Sequence, residues 1–158
     1  AVVAFQRNVD TNAWVFNGQQ GSAPAAGLRS WGCIMNAGAV PGSLSAFIVT
    51  DAVGSNNRRT SAVTPLAAPF VAAWVLDRTQ AQAAEHQIRV NGVAQAPLID
   101  TAANDSTGTF TDAGVMVGSA LGAGSFANIR FYGAILRAGA LAPADLSAAE
   151  AAMRRTFA

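Results

Sequence analysis

The chain has 158 residues, half of them hydrophobic and only 12% charged, with ten arginines, no lysine, nine acidic residues and one histidine for a net charge of +1. That length suits a single domain spanning residues 1–158, able to bury a core without disulfides or metal. The near-zero charge argues against a nucleic-acid partner, which demands a basic stripe, and the longest apolar run, residues 67–76, contains Pro69 and is too short to span a bilayer.

Residues 2–6 read as a strand. The chain enters it without a Met and shows no signal-peptide pattern, so it is expected to be an excerpt of a longer polypeptide or a processed product. A turn over 8–12 leads to a second strand at 13–16, and the glycine-rich, aperiodic segment 17–27 reads as a loop. Residues 28–35 form a third strand whose alternation puts Trp31, Cys33 and Met35 on one face. Cys33 is the lone cysteine, with no acid or histidine placed to activate it, and reads as a buried structural thiol. Pro41-Gly42-Ser43 punctuates the entry to a fourth strand at 44–50. Gly54-Ser55-Asn56-Asn57 predicts a turn before a short strand at 59–63, and the pair Arg58-Arg59 reads as part of a solvated loop.

The most informative stretch is 69–93. Residues 70–76 are an apolar run of strand length, 77–85 a polar connection, and Gln87-Ile88-Arg89-Val90 alternates as a half-buried strand does. His86 falls in phase with Ile88 and Val90, toward the core. Asn91-Gly92 then predicts a tight hairpin turn, because both residues tolerate positive φ, and Val93 begins the return. Residues 94–108 read as loop with a short pairing at Leu98-Ile99, and strands at 113–117 and 129–136 complete the set. About nine short strands separated by turns predict an all-β, antiparallel two-sheet jelly-roll sandwich.

The run 70–76 is apolar on both faces, whereas a strand in a two-sheet sandwich needs only one. Its second face must be covered by a helix, a loop or another subunit. A C-terminal amphipathic helix is predicted from Pro143 in the first turn, Asp145 early, Arg154-Arg155 late, and Leu146, Ala149, Met153 and Phe157 along one stripe. Ser147-x-x-Glu150 offers an alternative, later start.

Several of these segments recur in a familiar order: Phe70 to Asp77 with Trp74 inside, Ile88-Arg89-Val90-Asn91-Gly92, Val115-Met116-Val117-Gly118, Phe126 to Leu136 through Tyr132-Gly133, and Ala140-Leu141-Ala142-Pro143-Ala144-Asp145-Leu146. The succession resembles the laminin-G-like jelly-roll domains of the concanavalin A-like lectin/glucanase superfamily. Ala142 stands where that family usually has a serine cap. The resemblance implies glycan or cell-surface recognition, in some members with calcium bound at the sandwich rim.

The glucanases of the superfamily need paired carboxylates about 5 Å apart. Here the two glutamates, Glu85 and Glu150, lie in a connection and on the helix, and no two acidic residues share a strand face at the required spacing. With His86 as the single histidine and no phosphate-loop, zinc or dinucleotide pattern, the chain is expected to be noncatalytic. The candidate ligand-binding residues are Trp14, beside a turn, Tyr132, and Asn104 and Asp105 in a loop of oxygen donors. Asp100, Asp105 and Asp112 are the candidate calcium ligands. The expected role is a carbohydrate- or cell-surface-recognition module of a larger surface, secreted or phage-particle protein. The competing expectation is a structural or assembly domain of a virion, as a homo-oligomer or within a larger assembly. Either would place the chain outside the cell or on a virion surface.

Overall fold

A computed structural model describes residues 1–8, 13–19, 30–35, 42–51, 54–60, 64–77, 79–81, 84–102, 115–118 and 128–158. The elements are β1 (Val2–Arg7), β2 (Ala13–Gln19), β3 (Ser30–Met35), β4 (Leu44–Asp51), β5 (Gly54–Thr60), β6 (Pro69–Leu76), β7 (His86–Val90), β8 (Val93–Ala94), β9 (Pro97–Ala102), β10 (Val115–Val117), β11 (Ile129–Ile135) and α1 (Pro143–Arg154). The described chain is thus mostly strands with one C-terminal helix. Five strands form an antiparallel sheet in the order β11-β1-β6-β7-β8, and the others pair as β10-β2-β3-β4-β5-β9.

The five-stranded sheet follows from the hairpin. β6 and β7 pair from Ala72–Val90 to Leu76–His86. Asn91 at φ 50° and Gly92 at φ 87° turn the chain into β8, as the dipeptide predicts. Asn91 also ties the turn back to β6: its Oδ1 accepts from Val71 N at 2.9 Å, and its own N donates to Val71 O at 2.8 Å. The connection between β6 and β7 is held by Asp77, whose carboxylate accepts from the Thr79 hydroxyl, the Thr79 amide and the Gln80 side chain. These bonds, the Thr79 hydroxyl foremost, hold the Asp77 carboxyl below its ordinary range.

β6 separates two apolar clusters. Phe70, Ala72 and Trp74 on one face join Val3, Phe5, Ile88 and Val90, together with Val15 and Phe16 of β2 and Leu44 and Ala46 of β4. Val15 and Phe16 are consecutive yet both buried, because the β2–β3 register slips between Trp14 and Phe16. On the other face Val71 and Ala73 join Val2, Ala4 and Leu146, flanked by Ala149, Met153 and Phe157. The second face of this strand is therefore covered by α1 through Leu146, Ala149 and Met153; Phe157, predicted on the same helix face, packs there from beyond the helix end at Arg154.

The helix begins at Pro143 with Ala142 as an N-cap that makes no side-chain bond. The later start does not occur: Ser147 Oγ donates back to Pro143 O at 2.9 Å, and Glu150 is used elsewhere. Glu150 is 1% exposed, and both of its oxygens accept from Arg89 of β7, from Nε at 2.9 Å and from a terminal guanidinium nitrogen at 3.1 Å. Arg89 also donates to Gly92 O, and Arg154 to Asn91 O at 2.9 Å, so the helix grips the hairpin turn.

Three expectations need correction: residues 17–19, read as the start of a loop, instead continue β2 and pair with β3. Residues 54–60, GSNNRRT, are not a turn and solvated loop before a strand at 59–63; they are strand β5 itself, paired with β4 on one side and β9 on the other. Neighbours on both edges outweigh the weak strand preference of Gly, Asn and Ser. Likewise residues 97–102, read as loop around a short pairing, form β9 by pairing with β5. The side chains of Trp31, Cys33 and Met35 lie outside the described part of the structure.

Replacing Glu150 by Ala should cost about 3 kcal/mol in urea unfolding, because Arg89 is left without its carboxylate beside an apolar cluster. The double replacement Arg89→Leu with Glu150→Leu should cost much less, since an apolar pair of similar size restores packing without desolvating charge. Equal losses in the two variants would count against the pair as the helix anchor.

Candidate functional site

Strands β1 and β11 pair antiparallel, with Gln6 opposite Arg130 and Arg7 opposite Ile129. The register slips between Ala4–Gly133 and Phe5–Phe131, so Tyr132 is the extra residue of a bulge. Its ring turns toward the helix side, where it meets Phe157 at 5.4 Å between centroids and a tilt of 54°. Phe157 lies three residues past the end of α1 and packs on the same cluster as the helix stripe.

From Tyr132 a chain of hydrogen bonds runs outward over exposed amides. The Tyr132 hydroxyl donates to Gln6 Oε1 at 3.2 Å, Gln6 Nε2 to Asn8 Oδ1 at 3.1 Å, and Asn8 Nδ2 to Asn128 Oδ1 at 3.0 Å. The backbones are joined as well, by Asn8 N to Asn128 O at 3.0 Å. Asn8 and Asn128 are exposed, Gln6 and Tyr132 half-buried, and Arg130 exposed. Asn128 Nδ2 makes no hydrogen bond among the described residues and keeps two donor hydrogens. The patch thus offers an aromatic wall, fixed carboxamides that both donate and accept, and an adjacent guanidinium.

Of the residues predicted from sequence, Tyr132 is the one whose side-chain contacts the structure defines. Trp14 lies in β2 opposite Ile34, with its side chain outside the described part. Asp100 sits within β9, opposite Arg58 of β5, rather than in a loop. Asn104, Asp105 and Asp112 fall outside the described residues. Among the described residues no group of three or more His, Cys, Asp or Glu is placed to hold a metal ion. His86 is 2% exposed, stacked on Trp74 at 5.9 Å, and its Nδ1 accepts from Trp74 Nε1 at 3.0 Å. Its imidazole takes part in the core.

Sequence reasoning missed Gln6, Asn8 and Asn128, which are brought together across a separation of 120 residues. It also missed Arg7, whose 7%-exposed guanidinium donates to Thr64 O and Pro65 O and so satisfies the irregular stretch before β6.

No protein-family model matches the chain, and neither a curated protein nor a solved structure matches it significantly.

Two substitutions separate the contributions of Tyr132. Tyr132→Phe should lower stability by less than about 1 kcal/mol, losing one partly exposed hydrogen bond. Tyr132→Ala should cost roughly 2 kcal/mol through lost packing on Phe157. Thermal unfolding of the two variants checks the difference.

Proposed function

We propose that the chain is a two-sheet jelly-roll domain of the concanavalin A-like, laminin-G-like kind and serves as a noncatalytic carbohydrate-recognition module of a larger surface, secreted or phage-particle protein. The observation that carries this reading is the Tyr132–Gln6–Asn8–Asn128 chain beside Phe157 and Arg130. Sugars present closely spaced hydroxyls, each donor and acceptor, and apolar C–H faces; held carboxamides match the former and an aromatic wall the latter. The pairing of the two sheets and their shared buried cluster support the jelly-roll reading.

A noncatalytic role is supported by the glutamates, since Glu150 is buried against Arg89 and Glu85 is 3% exposed. Calcium held by Asp100, Asp105 and Asp112 stays part of the proposal as a rim ion near residues 100–112. The assembly reading rests on a low-charge, small-residue composition and on a strand apolar on both faces, and α1 accounts for the second of those faces. Glycan recognition is therefore the reading we put first, in an extracellular or virion-surface setting.

A glycan array probed with the 158-residue chain, in calcium and in chelator, tests this. Binding to a defined glycan class is expected, weakened about tenfold by Asn128→Ala, the loss of one or two well-made hydrogen bonds. Loss of binding in chelator would place the ion in the recognition path. Absence of binding in both conditions would overturn the recognition role and leave assembly as the account.

A further inference from the structure

A pocket of about 450 Å³ opens away from the amide patch, where the ends of β6 and β11 meet the start of α1. Trp74, Leu76, Val115, Ile135, Leu141 and Leu146 are among its apolar lining, and its size falls in the ordinary range for small-molecule sites. Leu136 and Val115 at its edge are 44% and 43% exposed, so apolar surface faces water at the mouth. Arg137 carries the one charged side chain among the described lining, which also holds the Ala1 α-ammonium, bonded to Trp74 O at 2.8 Å, and no acidic side chain accompanies them. Arg137 is exposed and makes no hydrogen bond or ion pair among the described residues.

We propose that this pocket binds an aliphatic monocarboxylate, with the alkyl chain against the apolar wall and the carboxylate on Arg137. A planar guanidinium grips a carboxylate through two parallel N–H···O bonds, a geometry that an alcohol or an amine does not share. The arrangement selects an anion with an apolar tail, and it is independent of the glycan patch.

Calorimetric titration of the chain with hexanoate, octanoate and 1-octanol tests the assignment. Octanoate should bind more tightly than hexanoate by about fourfold per added methylene. Arg137→Gln should weaken octanoate about tenfold and leave 1-octanol unchanged. Ala140→Phe, on the exposed rim, should weaken both by filling the space. No heat with octanoate at millimolar concentration, or equal octanoate binding by Arg137→Gln, would overturn the proposal. So would a concentration-dependent dimer of the chain that octanoate does not perturb, because the pocket would then be covered by a second copy.

Discussion

A strand that is apolar on both faces has to be covered twice, and the rest of this molecule is arranged to do so. Phe70, Ala72 and Trp74 find partners in β1, β7 and the described members of the other sheet; Val71 and Ala73 find theirs in α1. Neither cover is optional, since uncovering Phe70 on one face, or Val2, Val71 and Leu146 on the other, would return buried apolar side chains to water at about 1.5–3 kcal/mol each. A terminal helix of 12 residues is marginal alone, so its stability derives from that contact as much as the sheet's does.

Apolar packing by itself would let the helix slide along the sheet. The Arg89–Glu150 pair, reinforced by Arg154 on Asn91 O, fixes where it sits against the hairpin turn. The same contact explains why Gly92 suits the turn beyond its φ, because a Cβ there would approach an Arg154 nitrogen to 3.2 Å. Position along the sheet then decides where Phe157 falls, and Phe157 backs the ring of Tyr132. The fold and the amide patch are in this way consequences of one docking geometry.

What the sequence made legible were features whose cause is local. Asn91-Gly92 signals a turn through its own backbone freedom, and Leu146, Ala149 and Met153 signal a helix face through spacing alone. Strand β5 was illegible because Gly54 to Thr60 owe their conformation to β4 and β9 rather than to their own preferences. The amide chain was illegible for a related reason: Asn8 and Asn128 carry no sign in sequence that they meet. Glu150 could have been found, since it lies on the helix face of Leu146 and Met153, where an acid needs a basic partner, and Arg89 stands beside a predicted turn.

The sites differ in the kind of ligand chemistry they offer. The β1–β11 patch presents amides, an aromatic wall and a cation at the surface, whereas the pocket near Arg137 presents an apolar wall with a charge at the rim. The central claim concerns the first, and the most direct measurement is a nitrogen–proton shift map of the chain through a titration with neutral and acidic oligosaccharides. The account predicts that the side-chain amide signals of Gln6, Asn8 and Asn128 move together, with the backbone amide of Phe157. Shifts confined to other surfaces, or none at saturating sugar, would contradict it.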